Sequence, residues 1–229
     1  MSPSPTRAFA LDALLRDLGP RRLRRGGLLP EPLGGLATGV SEVDRLLGGG
    51  FPRGRLSELC GAVSSGRTSL ALALLARTTR EGRFCAVVDA ADGFDPRAAE
   101  TAGVALERVL WARAPGLRPA LRASERLLEA EGFALVLLDC AAPGLAAPDA
   151  SWKRLARAAS SSSAALLLLS LTRAAGSAAE VALEMRALQA HFTGTPPLLE
   201  CLEAEACVLR RRTGPTGERA RLQLRTRTG

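Results

Sequence analysis

Between Leu56 and Leu171 the sequence repeatedly alternates a short apolar run with a longer amphipathic one, and this alternation restricts the fold more than any other feature. Leu56–Cys60, Phe84–Val88, Val109–Trp111, Phe133–Leu138 and Ala164–Leu171 read as strands. Thr68–Arg80, Pro119–Ala130 and Trp152–Ala159 read as helices, and Asp95-Pro96 caps and opens a further one. Near-continuous apolar strands separated by helices are what a parallel sheet covered on both faces requires. The expected fold is therefore α/β with a mostly parallel central sheet. Ala178–Ala190 reads as one more helix. Cys207–Arg212 and Arg219–Arg225 flank the turn-rich Thr213–Gly217 and read as a C-terminal antiparallel hairpin.

Upstream of the alternating region, Phe9, Leu11, Leu14, Leu15 and Leu18 fall largely on one helical stripe, and the basic run Arg21–Arg25 leads into a Gly/Pro-rich stretch. The expected division is residues 1–35, an amphipathic helix and basic linker, and residues 36–229, the core ending in the hairpin. Ser41 and Asp44 are spaced as a capping box with Asp in the Glu/Gln place, and Gly48–Gly50 ends the short helix.

Composition narrows the function classes. Aromatic residues make up 3% of the chain, so the core is built from Leu, Ala and Val. The net charge is +8, and Lys153 is the single lysine, so the positive charge is almost all guanidinium. A basic balance fits nucleic acid or an acidic protein partner, or simply the residue bias of a GC-rich genome. The hairpin arginines fit either a charged sheet edge that resists aggregation or a nucleic-acid surface. Cys60, Cys85, Cys140, Cys201 and Cys207 contain no C-x-x-C pair and read as buried thiols. With His191 as the one histidine, a His-based zinc site and a Ser-His-Asp triad are not expected. The first residues lack the apolar stretch of a signal peptide, and Ala164–Leu171 is too short to span a bilayer, so no membrane association and a reduced, cytoplasmic setting are expected.

The chemistry concentrates in Gly61-Ala-Val-Ser-Ser-Gly-Arg-Thr-Ser69, which follows a strand and opens a helix. This is the phosphate-binding loop pattern, with Arg67 where Lys is expected. Small residues let backbone N–H groups converge on phosphate oxygens at a helix N-terminus. The candidate nucleotide-binding residues are Gly61, Ser64, Ser65, Gly66, Arg67, Thr68 and Ser69. Thr68 and Asp139, the latter ending an apolar strand, are the candidate Mg²⁺ residues. ATP and Mg²⁺ are the expected ligands. A forked guanidinium does not fill the space of an ammonium, so weakened binding or hydrolysis is expected.

The stretch Thr38-Gly39, Asp44, Leu47–Gly50, Gly54-Arg55, Glu58 and Gly61–Thr68, continued by Arg80–Arg83 and Asp89–Pro96, resembles the RecA family. That resemblance implies a RecA-like core and makes Asp95 the match to an aspartate near the adenine ring. It also exposes losses. Ala91 stands where the family has a catalytic Glu, with Asp92 adjacent, and Ser170-Leu171 stand where it has Asn-Gln. The two DNA-binding loops of the family are shortened here to about Cys140–Ala150 and Thr172–Ser177. No catalytic residue is assigned. A RecA-like chain reduced in this way is similar to the ImuA family. The similarity implies an accessory role in damage-induced (SOS) translesion mutagenesis, through contacts with ImuB and with RecA, modulating RecA filaments. It also leaves open oligomerisation through the N-terminal helix. The alternatives are a DNA-stimulated ATPase or recombinase and a module binding single-stranded DNA.

Overall fold

The computed structural model describes residues 34–145 and 147–225. The amphipathic stripe Phe9–Leu18 and the basic run Arg21–Arg25 lie outside the described residues.

The strands are β1 (Gly35–Leu36), β2 (Phe51–Pro52), β3 (Leu56–Cys60), β4 (Phe84–Asp89), β5 (Val109–Arg113), β6 (Phe133–Asp139), β7 (Ala165–Ser170), β8 (Val181–Thr193), β9 (Leu198–Arg211) and β10 (Arg219–Arg225). The helices are α1 (Ser41–Leu47), α2 (Arg67–Arg80), α3 (Pro96–Thr101), α4 (Leu117–Glu129) and α5 (Asp149–Ser161). β1 and β2 form a small antiparallel pair. The main sheet has the order β10-β9-β8-β3-β7-β6-β4-β5. From β8 through β5 every neighbouring pair is parallel, and β8-β9-β10 is antiparallel. The mostly parallel sheet and the C-terminal hairpin are as the sequence indicates.

Alternation along β6 shows why both faces need covering. Leu135 and Leu137 join one apolar cluster with Leu70, Leu74 and Leu75 of α2, whereas Val136 and Leu138 join a second with Leu128 of α4 and Trp152 and Leu155 of α5. A strand buried on both faces has no polar positions to spare, which is why it reads as an unbroken apolar run. Truncating one such leucine, for example Leu167, removes its burial and leaves a cavity, a loss of about 2–5 kcal/mol. All five cysteines are buried free thiols, and burial pushes Cys60, Cys85 and Cys140 up to about 12. No helix among the described residues is long and apolar enough to cross a membrane.

Two local expectations need correction. The segment Ala178–Ala190 is not a helix. After a short 3-10 turn at Gly176–Ala178, β8 runs from Val181 to Thr193, parallel to β3 and antiparallel to β9. Ala, Leu, Glu, Met and Arg all favour helices, but this propensity is worth only tenths of a kcal/mol per residue. Pairing both edges of β8 and burying Val181, Leu183 and Met185 at alternate positions outweighs it. β9 likewise begins at Leu198, well before Cys207, so the hairpin belongs to a long ribbon.

The capping box is the second correction. The α1 N-cap is Val40, with no side-chain cap. The Asp44 carboxylate instead accepts from Thr38 N at 2.6 Å, Thr38 Oγ1 at 2.8 Å and Gly39 N at 3.0 Å, tying down the preceding turn. Gly48 does end α1 in the left-handed region, at φ 71°. Asp95 caps α3, its side chain accepting from Arg97 N at 2.9 Å, with Pro96 in the first turn.

Candidate phosphate-binding site

Parallel pairing brings the carboxyl ends of four strands to one edge. Cys60 pairs with Ser170, Asp139 with Leu169, and Asp89 with Asp139. Between β3 and its neighbours the chain direction divides: β4 lies beyond β7 and β6 on one side, and β8 lies on the other. Open α/β sheets bind ligands at such a switch point, outside the strand ends.

The loop Gly61–Gly66 leaves β3 at this point and delivers the chain into α2. Ser64 and Gly66 both adopt positive φ, 63° and 87°, and Ser65 N donates to Ala62 O at 3.2 Å, so the loop is a tight turn. Gly61 is required for closeness, whereas at Gly66 it is the positive φ that favours glycine. A Cβ at Gly61 would lie 2.6 Å from Met185 O of β8, and one at Gly66 would lie 2.6 Å from a Leu224 methyl of β10. The antiparallel ribbon therefore packs directly on the loop.

Arg67, only 7% exposed, folds back beneath the loop. Its Nη1 donates to the carbonyl oxygens of Gly61 and of Ser170, the latter at 3.0 Å, so one guanidinium ties the start of the loop to the end of β7. Burial lowers the Arg67 pKa, and Asp139 opposes that shift. Burial raises the Asp139 pKa; a hydrogen bond from Ala141 N, at 2.9 Å, and the charge of Arg67 act against it, while neighbouring Asp89 adds to it. Asp89 accepts from Gly93 N at 3.0 Å and Phe94 N at 3.1 Å, shaping the loop after β4.

Ser65 Oγ and Arg67 Nε are buried and make no hydrogen bond in the structure. Unpaired buried polar groups cost about 1–3 kcal/mol each. Both belong to residues lining a cavity of about 380 Å³ that also takes in Ser64, Gly66, Thr68 and Ser69. A hydroxyl-rich loop opening on a helix N-terminus, with unmet donors buried behind it and no carboxylate on its walls, suits an anion, so the residues fit a phosphate. Six of the seven loop candidates, all but Gly61, line this one cavity. Asp95 and Asp139 do not line it. Among the described residues, no group of three or more His, Cys, Asp or Glu side chains is gathered as a metal site.

Ala91 carries no carboxylate, and Asp92 points away into solvent. The Asp92 side chain is 74% exposed and pairs with Arg113 at 2.6 Å. Sequence reasoning missed three features. The far wall of the cavity comes from the ribbon, through Ala187–Ala190, Phe192, Leu199 and Leu202, and was hidden by the helical reading of β8. The Ser170 carbonyl is a backbone group that no motif reveals. Fully buried Glu58, seen only as a matching residue, accepts from Ser170 Oγ at 2.9 Å and Ala174 N at 2.6 Å and so holds down the shortened loop after β7. Of the hairpin arginines, Arg210 donates to Ala179 O at 2.7 Å and Arg211 to Leu46 O, whereas Arg212, Arg219, Arg221 and Arg225 are exposed, Arg219 pairing with Glu205 at 3.1 Å.

A strand, glycine-rich loop and helix at the switch point of a parallel sheet define a P-loop α/β protein. The model of the RecA N-terminal domain matches residues 22–171, and the chain belongs to the RecA family. It is 35% identical over 137 residues to RecA of Chlorobium limicola, covering 58% of this chain and 39% of the relative. It is 31% identical over 147 residues to RecA of Picosynechococcus, covering 62% and 42%. The chain thus spans about two fifths of the length of these relatives. A crystal structure of the RadB recombinase has a similar fold, with a TM-score of 0.67 at 22% identity, covering 84% of this chain and 97% of that one.

Proposed function

We propose that this RecA-family chain is an accessory factor of damage-induced translesion mutagenesis, similar to the ImuA family, that holds nucleotide phosphates without efficient hydrolysis. It acts through protein contacts, with an ImuB-like polymerase relative and with RecA. The observation that carries the reading is the pair Ala91 and Asp92. The first has no carboxylate, and the second turns its carboxylate to solvent and to Arg113. Water activation needs a base within hydrogen-bond reach of the water, and neither residue supplies one.

The remaining chemistry is that of binding. The loop at the N-terminus of α2, with the Ser64, Thr68 and Ser69 side chains around it, is read as holding phosphate oxygens, while Arg67 braces it from beneath. Thr68, at the helix end of the loop, and Asp139, at the end of β6, are the residues that would hold Mg²⁺. Mg²⁺ would supply charge neutralisation between phosphate oxygens.

Phosphate release measured with and without single-stranded DNA tests the reading. Turnover at background in both conditions is expected, together with capture of the partners by the full chain. The competing reading, a DNA-stimulated ATPase, draws on Asp139 being retained at the strand end. DNA-stimulated turnover abolished by Asp139→Ala would establish it instead.

A further inference from the structure

The cavity at the loop has two chemically different ends. At one end lie the loop residues Ser64, Ser65, Gly66, Thr68 and Ser69, with Arg67 beneath them. At the other, the β8–β9 ribbon presents Leu188, Phe192, Leu199 and Leu202, with Gln189 among the lining residues. Among the described residues no carboxylate lines the cavity, and Arg67 is its one charged residue.

Irregular pairing along the ribbon produces this wall. His191 pairs with Cys201 but Phe192 pairs with Leu199, so Glu200 is skipped. Without that bulge Phe192 would face Glu200. With it, Leu199 lines the cavity and Glu200 does not. A second bulge leaves Leu188 unpaired between Ala187 and Gln189. Bulges re-aim side chains, and here they set an apolar surface, free of negative charge, beside an anion cradle. Phe192 is 60% exposed, an aromatic face open to a flat partner.

We infer that the ribbon is the base-recognition wall of this site, with Phe192 as the stacking platform, and that the ligand is a nucleoside polyphosphate taken with little preference between adenine and guanine. This rests on the reading of the loop as a nucleotide phosphate site. Stacking is tolerant because every base has a π-face. The Gln189 amide carries both donor and acceptor, so it satisfies either purine edge. Asp95, outside the cavity, spends its carboxylate on the α3 cap.

The test is calorimetric titration of the full chain with ATP, GTP and inorganic tripolyphosphate. ATP and GTP should bind within a few-fold of each other, and tripolyphosphate more weakly. Phe192→Ala should weaken ATP and GTP by roughly 5- to 150-fold, the range for losing one stacked base, while leaving tripolyphosphate unchanged. Phe192→Tyr should retain binding. Leu198→Ala, on the same ribbon but outside the cavity and 63% exposed, should bind as the unmodified chain does. Unchanged ATP affinity in Phe192→Ala overturns the inference alone, as does an equal loss of tripolyphosphate, which would mean a distorted loop. A strong ATP-over-GTP preference that disappears in Asp95→Ala also overturns it. Failure of both ATP and tripolyphosphate to bind the unmodified chain removes the phosphate-site reading and the inference with it.

Discussion

A guanidinium at position 67 occupies the space under the loop in a way an ammonium does not. Its planar fork reaches the carbonyls of Gly61 and Ser170 at once, so the loop is tied to β7 by its own side chain. Arg67→Ala would leave these acceptors without the donor, at about 1–3 kcal/mol. A melting temperature lower by several degrees without added nucleotide is the expected result, and an unchanged one would show that Arg67 is not a structural tie. Asp139 gives a prediction with a sign. Its pKa is raised in the folded chain, mainly by burial, so the native state favours the proton. The stability it contributes is complete below the ordinary carboxylate range and is lost as pH rises through the raised native value. Asp139→Asn keeps the acceptor for Ala141 N and removes the buried charge. It should therefore melt higher than the unmodified chain at neutral pH, by about 1 kcal/mol, with the gap closing in acid. A lower melting point at neutral pH would contradict this.

At the scale of elements, legibility followed burial. β3, β4, β6 and β7 are buried on both faces, and their apolar runs identify them without help. The loop Gly61–Ser69 is equally plain, because its function is local: small residues, a strand before and a helix after. β8 was not legible, since Val181, Leu183 and Met185 fit a strand period while the intervening Ala, Glu and Arg fit a helix. Only pairing with β3 and β9, which are distant in sequence, decides between them. The ribbon wall of the cavity was invisible for the same reason. The seam between β8 and the loop is also where a glycine is required. Gly61→Ala forces a Cβ against Met185 O, so β3 and β8 must part. A loss of about 1–3 kcal/mol, typical of overpacking, is expected in chemical denaturation. Unaltered stability would mean the loop relaxes freely, and the ribbon does not confine it.

At the largest scale, two apolar clusters on opposite faces of one sheet hold the described residues together. We propose that the amphipathic stripe Phe9–Leu18 docks on RecA or on a second copy of this chain. Deleting residues 1–25 should weaken capture of RecA in a pull-down while leaving the melting temperature within a few degrees. Unchanged capture would count against that role.

The central claim is that a phosphate cradle persists without a group that primes water. One purified, nucleotide-stripped sample, titrated with ATP and Mg²⁺ by calorimetry and then assayed for phosphate release with single-stranded DNA, tests it most directly. Saturable binding with release at background is the predicted result. Rapid release that depends on DNA and vanishes in Asp139→Ala would contradict it.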